Sequence, residues 1–276
     1  PLSLTLQVIG TLIVIYAFWI EPFRLQVTHQ VLSTPKLKAS RPLRLLHLGD
    51  LHIERLTPRE TRLNALIDSL KPDIILFSGD ILNLSYLNDP TAWQAARQLI
   101  GHWQAPLGVF FVSGSPAVDL PEILPDLLKD LPLTWLQDSK TAVKYAEDVF
   151  EVIGISCSHR PHQDAPRLAA LTNEPSNHLR ILLYHSPDLA PAASRLGVDL
   201  QLSGHTHGGQ VRLPFLGAVF TGSLYGKAFE AGRYRLNKMV LYITRGLGLE
   251  GAAAPRLRFL CPPEIILWEI KGENRD

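Results

Sequence analysis

The stretch Leu43-Arg44-Leu45-Leu46-His47-Leu48-Gly49-Asp50-Leu51-His52 decides how the chain is read. A leucine-rich run makes a strand, and Gly49 followed by Asp50 ends it in a turn. The same grammar recurs twice. Ile74-Ile75-Leu76-Phe77 stops at Ser78-Gly79-Asp80, and Gly108-Val109-Phe110-Phe111-Val112 stops at Ser113-Gly114-Ser115-Pro116. Residues 58 to 70 lie between the first two and have helical spacing, with Thr57 as cap and Pro58 at the first helical position. A further helix is expected from about Pro90 to Trp103. This β-α-β-α-β order with apolar strands predicts an α/β fold with a mainly parallel, doubly covered sheet. Ligands of such sheets gather at the carboxyl ends of the strands. That is where the glycines and short polar residues stand.

Toward the C-terminus the pattern changes. A helix is expected near Pro121 to Leu131, then short alternating strands at Ala142–Tyr145 and Val149–Ile155, which predict hairpin pairing in a second sheet. Leu179–Tyr184 is another strand, ending at His185, and a helix near Leu189 to Leu196 follows. The next apolar run ends in Leu202-Ser203-Gly204-His205-Thr206-His207-Gly208-Gly209-Gln210. Two histidines two residues apart on extended chain bring their imidazoles near one point, and the flanking glycines let backbone approach a bound object. Strands near Met239–Thr244 and Glu264–Lys271 enclose a Gly/Ala/Arg loop, Arg245 to Phe259.

Composition bounds the function. The chain has 276 residues, 46% hydrophobic and 19% charged, with a net charge of +1. That balance gives no general argument for nucleic-acid binding, and no nucleic-acid partner is expected. Cys157 and Cys261 are too few and too far apart for a disulfide framework and read as core thiols. Residues 2 to 20 carry no charge and end with Tyr16 and Trp19 near the position of an interfacial belt. No small-residue cleavage site follows, so residues 1–21 are read as a single transmembrane anchor. Arg24, Lys36, Lys38, Arg41 and Arg44 just beyond favour a cytoplasmic face for the rest of the chain. Residues 22–42 read as a linker or edge strand, because Leu25, Val27 and Val31 alternate with polar residues, and residues 43–271 as one domain.

The strand ends offer Asp50, His52, Asp80, His185, His205 and His207. Carboxylate together with imidazole suits Mn, Fe or Zn. The set exceeds what one tetrahedral zinc needs, whereas two divalent ions sharing a carboxylate would use all of it. Two ions ~3.5–4 Å apart can activate a water and stabilise the attacking and leaving oxygens of phosphate-ester or pyrophosphate hydrolysis.

In this order the motifs resemble those of the calcineurin-like metallophosphoesterases: Asp50-Leu51-His52, Gly79-Asp80, Gly114-Ser115-Pro116-Ala117, His185 and Gly204-His205-Thr206-His207. Gly-His-Thr-His-Gly-Gly-Gln, Ile20-Glu21-Pro22 and Cys261-Pro262-Pro263-Glu264-Ile265 are similar to the membrane-associated bacterial branch, which includes UDP-diacylglucosamine hydrolases of lipid A synthesis. The resemblance implies two packed mixed β-sheets with helices outside, a four-layer sandwich. It implies one metal held by Asp50, His52, Asp80 and His207. A second would share Asp80 and use His185 and His205, with Ser115 at the family's Asn position. Asp80, His185 and His205 are the residues expected at the chemistry. The implied substrate carries a phosphodiester or pyrophosphate, with lipid-linked and nucleotide-sugar compounds as candidates.

One motif departs. Where the family has Asn-His followed by an acid, this chain has Ser115, Pro116 and Ala117. Serine is a weak, short ligand, and proline moves no proton. Three outcomes stay open: a slower phosphoesterase or one suited to a good leaving group, a replacement group such as His159 or His162, or a metal-binding protein with little catalysis. Arg233, Arg235, Arg245, Arg256 and Arg258 are candidates to pair with phosphate, and Leu247, Leu249, Ala252 to Ala254 and Leu257 to meet acyl chains.

Overall fold

A computed structural model describes residues 2–250 and 256–273. Helix α1 (Leu2–Ile15) runs on through a π-helical turn at Tyr16–Ile20 and a 3-10 turn at Glu21–Phe23. Together these form one 22-residue helical stretch, long and apolar enough to cross a membrane by length and composition, with its apolar side chains outward. Its foot is docked. Glu21 is buried and accepts hydrogen bonds from the Leu260 (2.8 Å) and Cys261 backbone N–H groups.

Strand β1 (Gln26–Thr34) follows, then β2 (Leu43–Leu48), α2 (Pro58–Leu70), β3 (Ile74–Phe77), α3 (Pro90–Gly101), β4 (Val109–Phe111), α4 (Leu124–Leu128) and β5 (Thr134–Trp135). The hairpin β6 (Ser139–Tyr145)/β7 (Asp148–Gly154) leads to α5 (Pro161–Leu171), β8 (Leu179–Leu183), α6 (Ala190–Ala193) and β9 (Leu200–Ser203). The short hairpin β10 (Arg212–Leu213)/β11 (Gly217–Ala218), then β12 (Gly232–Leu236), β13 (Met239–Ile243) and β14 (Glu264–Gly272), complete the chain. The first large sheet has the order β1-β14-β2-β3-β4-β5, parallel except where β14 meets β2. The second has the order β12-β13-β9-β8-β7-β6, with a parallel centre and an antiparallel pair at each edge.

Period-2 alternation sorts the side chains into layers. Leu46, Leu48, Ile75, Phe77 and Phe111 pack under Leu63, Ile67, Ala96 and Leu99 of α2 and α3. Leu43, Leu45, Ile74 and Leu76 face Phe150, Ile181, Leu183 and Leu202 of the second sheet. The outer face of that sheet, with Leu182 and Leu241, is covered by Leu168 of α5 and Ala190 and Ala193 of α6. The order helix, sheet, sheet, helix is the four-layer mixed α/β sandwich expected. Residues 26–34, read as linker or edge strand, form β1 at the edge of the first sheet.

Two expected helices are shorter than the pattern suggested. The one near Pro121–Leu131 is reduced to α4, because Pro125 starts it late and Lys129 leaves helical geometry (ψ 129°). The one near Leu189–Leu196 is a 3-10 turn at Pro187–Leu189 plus one turn of α6. Strand β12 was not anticipated.

Candidate metal centre

The ends of β2, β3, β8 and β9 meet where the two sheets face each other. Asp50 and His52 follow β2, Asp80 follows β3, His185 follows β8, and His205 and His207 follow β9. The loops are braced on one another: Asp50 N–H donates to the Gly79 carbonyl (2.9 Å), His52 N–H to Asp80 (3.1 Å) and Gly204 N–H to His185 (2.8 Å). Five of these residues (Asp50, His52, Asp80, His205, His207) have φ between 42° and 72°, the left-handed region that costs non-glycine residues strain. Gly204 is required here, since a Cβ on it would lie 2.6 Å from both carboxylate oxygens of Asp50.

The side chains form two groups of potential ligands, Asp50 with His52 and His207, and Asp50 with Asp80 and His185. Asp80 joins them: its Oδ2 is 3.5 Å from His52 Nε2 and 3.3 Å from His185 Nε2. His52 Nε2 and His207 Nε2 are 3.0 Å apart. His185 Nδ1 is 2.8 Å from the Ser78 carbonyl; donating there orients the ring with Nε2 toward Asp80. The buried Oδ2 of Asp50 has no hydrogen-bond partner among the described residues. A buried, unpaired carboxylate oxygen among imidazoles fits a cation, and the donor set is that of Mn, Fe or Zn.

The site polarises its own groups. Burial lowers His52 below its ordinary pKa, Asp80 opposes that, and His207 adds to it. Burial also disfavours charge on His185, yet Asp80 and then Asp50 hold it well above the imidazole range. Burial pushes Asp80 up, but His185, His52 and the Ser115 N–H outweigh it and bring the carboxyl below the usual range.

Ser115 stands at the motif position expected for it. Its Oγ is 3.1 Å from both Asp80 Oδ2 and His185 Nε2, and its N–H donates to Asp80 Oδ1 (2.6 Å). Pro116 is exposed beside it. A cleft of about 550 Å³ opens there, lined in part by Gly114, Pro116, Asp119, Trp135 and Cys157. His205 is set apart from both ligand groups. Its backbone N–H donates to Asp50 Oδ1 (3.0 Å), and its ring Nε2 lies 3.2 Å from the Gly222 carbonyl. The ring is sandwiched near His185 (centroids 5.2 Å) and His159 (4.4 Å). His159 therefore reaches the site, whereas His162 is exposed on the first turn of α5.

Two acids escaped the sequence reading. Asp119 is buried and accepts three backbone hydrogen bonds, from Asp80 (2.8 Å) and Gly114 (2.7 Å) at Oδ2 and from Ile81 (3.0 Å) at Oδ1. Burial and the nearby Asp80 charge push its pKa up against those three donors. Its signal was available, two positions past Ala117. Glu250 Oε2 lies 3.2 Å from His207 Nε2, and nothing in its loop sequence marked it.

The arginines are employed elsewhere. Arg258 is fully buried and donates to the carbonyls of Gly248, Cys261, Arg245 and Gly246, so it is a loop clamp and not a phosphate contact. Arg245 pairs with Glu264 (2.7 Å) and Arg256 with Glu54, while Arg233 donates to the Val31 carbonyl (2.8 Å) and Arg235 to Asn237 (3.4 Å). Leu247 lies in the core, and the expected acyl-contacting residues Ala252 to Ala254 fall outside the described residues.

Residues 43–209 match the family model described as calcineurin-like phosphoesterase. The chain is 30% identical over 268 residues to Phosphodiesterase YaeI of Escherichia coli (strain K12), covering 92% of each protein. The chain belongs to the calcineurin-like phosphoesterase family. It is also 28% identical to the uncharacterized metallophosphoesterase YkuE of Bacillus subtilis (strain 168), over 94% of this chain and 90% of that protein. It is 24% identical to UDP-2,3-diacylglucosamine pyrophosphatase LpxG of Chlamydia trachomatis, over 94% of this chain and 93% of that protein. This metallophosphoesterase is thus matched along nearly its whole length, well beyond its motifs.

Proposed function

We propose that the chain hydrolyses a phosphodiester or pyrophosphate at a two-metal site, on a substrate that is lipid-linked or a nucleotide sugar. The observation that carries the reading is Asp80 Oδ2, within 3.5 Å of imidazoles from both ligand groups. Asp50, His52, Asp80 and His207 would hold one cation. Asp80, His185, His205 and the Ser115 hydroxyl would hold the other, once the His205 ring exchanges the Gly222 carbonyl for metal. Divalent cations supply Lewis acidity there, lowering the pKa of a water and offsetting phosphoryl charge. The protein orients the ligands: Ser78 orients the His185 ring, and Asp119 holds the backbone carrying Asp80. The LpxG likeness supports a lipid-linked substrate. We further propose that residues 1–21 are a single-pass anchor, that 22–42 serve as linker and edge strand to a domain at 43–271, and that this domain lies on the cytoplasmic face.

A second reading is favoured by Pro116: a membrane-tethered metal-binding protein with little turnover. Both are decided by one experiment. Bound Mn, Fe and Zn are measured per chain, and turnover of bis-p-nitrophenyl phosphate and of a nucleotide-sugar pyrophosphate is assayed with added Mn²⁺. The enzyme reading expects two ions and turnover abolished in Asp80→Ala. Turnover no higher than in that variant would leave only the metal-binding reading.

A further inference from the structure

Of the ten large apolar side chains exposed beyond Phe23 among the described residues, seven fall within Leu213–Tyr225, the hairpin β10/β11 and the loop after it. Among the described residues no other stretch of the sandwich is so built. Phe215 at the hairpin tip is fully exposed and has φ 65°, a strained backbone for an aromatic residue. Leu216, Val219, Phe220 and Leu224 are each more than 60% exposed. Exposed apolar patches of this kind mark interaction sites.

The base of the hairpin shows what covers it. Val211 bridges to Phe259, Arg212 N–H donates to the Phe259 carbonyl (2.9 Å), and Phe259 N–H donates to Gln210 (2.9 Å). The Phe259 ring meets the Tyr16 ring edge-on (6.3 Å), and Arg258 N–H donates to the Ala17 carbonyl (3.0 Å). Hairpin base and helix foot therefore share one residue. The helix carries apolar side chains outward along its length and needs an apolar medium. One bilayer satisfies both elements. Lys227 Nζ donates to the Leu216 carbonyl (2.7 Å), which puts a cation beneath the apolar tip, at headgroup level. The loop's other end reaches the metal centre, where the Gly222 carbonyl faces His205.

We infer that Leu213–Tyr225 is a lip that inserts into the lipid bilayer beside α1, seating Phe215, Leu216 and Phe220 among acyl chains and presenting the phosphate of a membrane lipid to the site at His205. The substrate half rests on the proposed function; the insertion half does not.

The test uses the full chain in phosphatidylethanolamine/phosphatidylglycerol vesicles. Phe215→Cys is labelled with a nitrobenzoxadiazole probe, and Gln104→Cys, at the opposite end of the strands from the site, is the control. The native Cys157 and Cys261 are buried. The probe at 215 is expected to emit at shorter wavelength and to be several-fold less quenched by iodide than the probe at 104. Equal quenching would overturn insertion. Concentration-dependent energy transfer between copies labelled at 215 would place a second copy on the tip and overturn it too. Phe215→Ser/Phe220→Ser is expected to lower kcat/KM for a lipid-linked pyrophosphate about tenfold while leaving bis-p-nitrophenyl phosphate turnover unchanged. An equal loss on both, or no loss on either, would remove the lipid-presenting role. No turnover of either substrate by the parent protein would sink the proposed function, while the probe result still decides insertion.

Discussion

Replacing Asp119 tests whether the site is held by its backbone or only by its ligands. The carboxylate accepts three buried N–H groups, two at Oδ2 from Gly114 and Asp80 and one at Oδ1 from Ile81. A buried donor left unpaired costs about 1–3 kcal/mol. Asp119→Ala strands all three, so the nominal loss is about 3–9 kcal/mol. The cleft of about 550 Å³ lined by Asp119 admits water, which puts the expected value near the lower bound. Asp119→Asn keeps one oxygen for Asp80 and Gly114 but turns its NH₂ toward Ile81 N–H, at a cost of about 1–3 kcal/mol. The predicted order of stability is wild type, Asn, Ala, measured by urea titration of the full chain in dodecyl maltoside. Metal retained against a chelator should fall in the same order, because Asp80 moves with its backbone. An alanine variant within about 1 kcal/mol of wild type, holding its metal equally well, would show that these hydrogen bonds do not organise the loops.

Restoring the motif with Ser115→Asn/Pro116→His should raise turnover of bis-p-nitrophenyl phosphate by about 10²-fold or more, if loss of an acid and a ligand is what limits it. No gain at unchanged metal content would count against that account. His159→Ala should lower turnover of poor leaving groups more than good ones, because the His159 ring packs on His205 at 4.4 Å and is an imidazole at the site outside the proposed ligand set. A leaving-group plot parallel to wild type would remove His159 from the chemistry. His47 should make the fold acid-labile. Burial lowers its folded pKa to about 3, so as pH falls below about 6.5 the unfolded chain takes up a proton that the folded chain refuses. Between pH 7.5 and 5 this term removes about 2 kcal/mol. The stability gap between wild type and His47→Leu should shift by that amount, and a pH-independent gap would refute it.

What could be read from the sequence follows from how each feature is encoded. The candidate ligands after β2, β3, β8 and β9 were legible because each follows a largely apolar, buried strand, and strand order then carries them to one end of the sheets. Their motif spacing needed no knowledge of packing. Asp119 lies two positions past Ala117, outside the motif pattern, and its partners are backbone N–H groups whose direction only the folded chain sets. Glu250 lies in a loop without periodicity, so only the folded chain brings it to His207. Arg258 is a candidate phosphate partner in the sequence because its guanidinium fork suits phosphate, yet it is buried. Four backbone carbonyls satisfy it inside the protein, and sequence does not report carbonyl directions. The β10/β11 hairpin went unread because short strands around a turn show no alternation long enough to detect.

The altered loop at 114–119 looks like decay in the motif, but the physics around it argues for replacement. A site under no demand has no reason to keep five non-glycine residues in left-handed backbone, each at a cost of order 1–3 kcal/mol, around a carboxylate oxygen left unpaired in the interior. Such strain persists only where surrounding contacts over-determine it. The departed positions are also covered locally. The Ser115 hydroxyl touches both Asp80 and His185, and Asp119, two residues past Ala117, ties the Gly114 backbone. The group with no local substitute is the proton-bearing side chain at 116, and an imidazole outside the proposed ligand set, His159, itself at φ 56°, packs tilted against His205. On the proposed function, what the loop lacks is narrow: help for a departing oxygen. A phosphate leaving from a pyrophosphate needs that help least, which is why the altered loop and the pyrophosphate reading belong together.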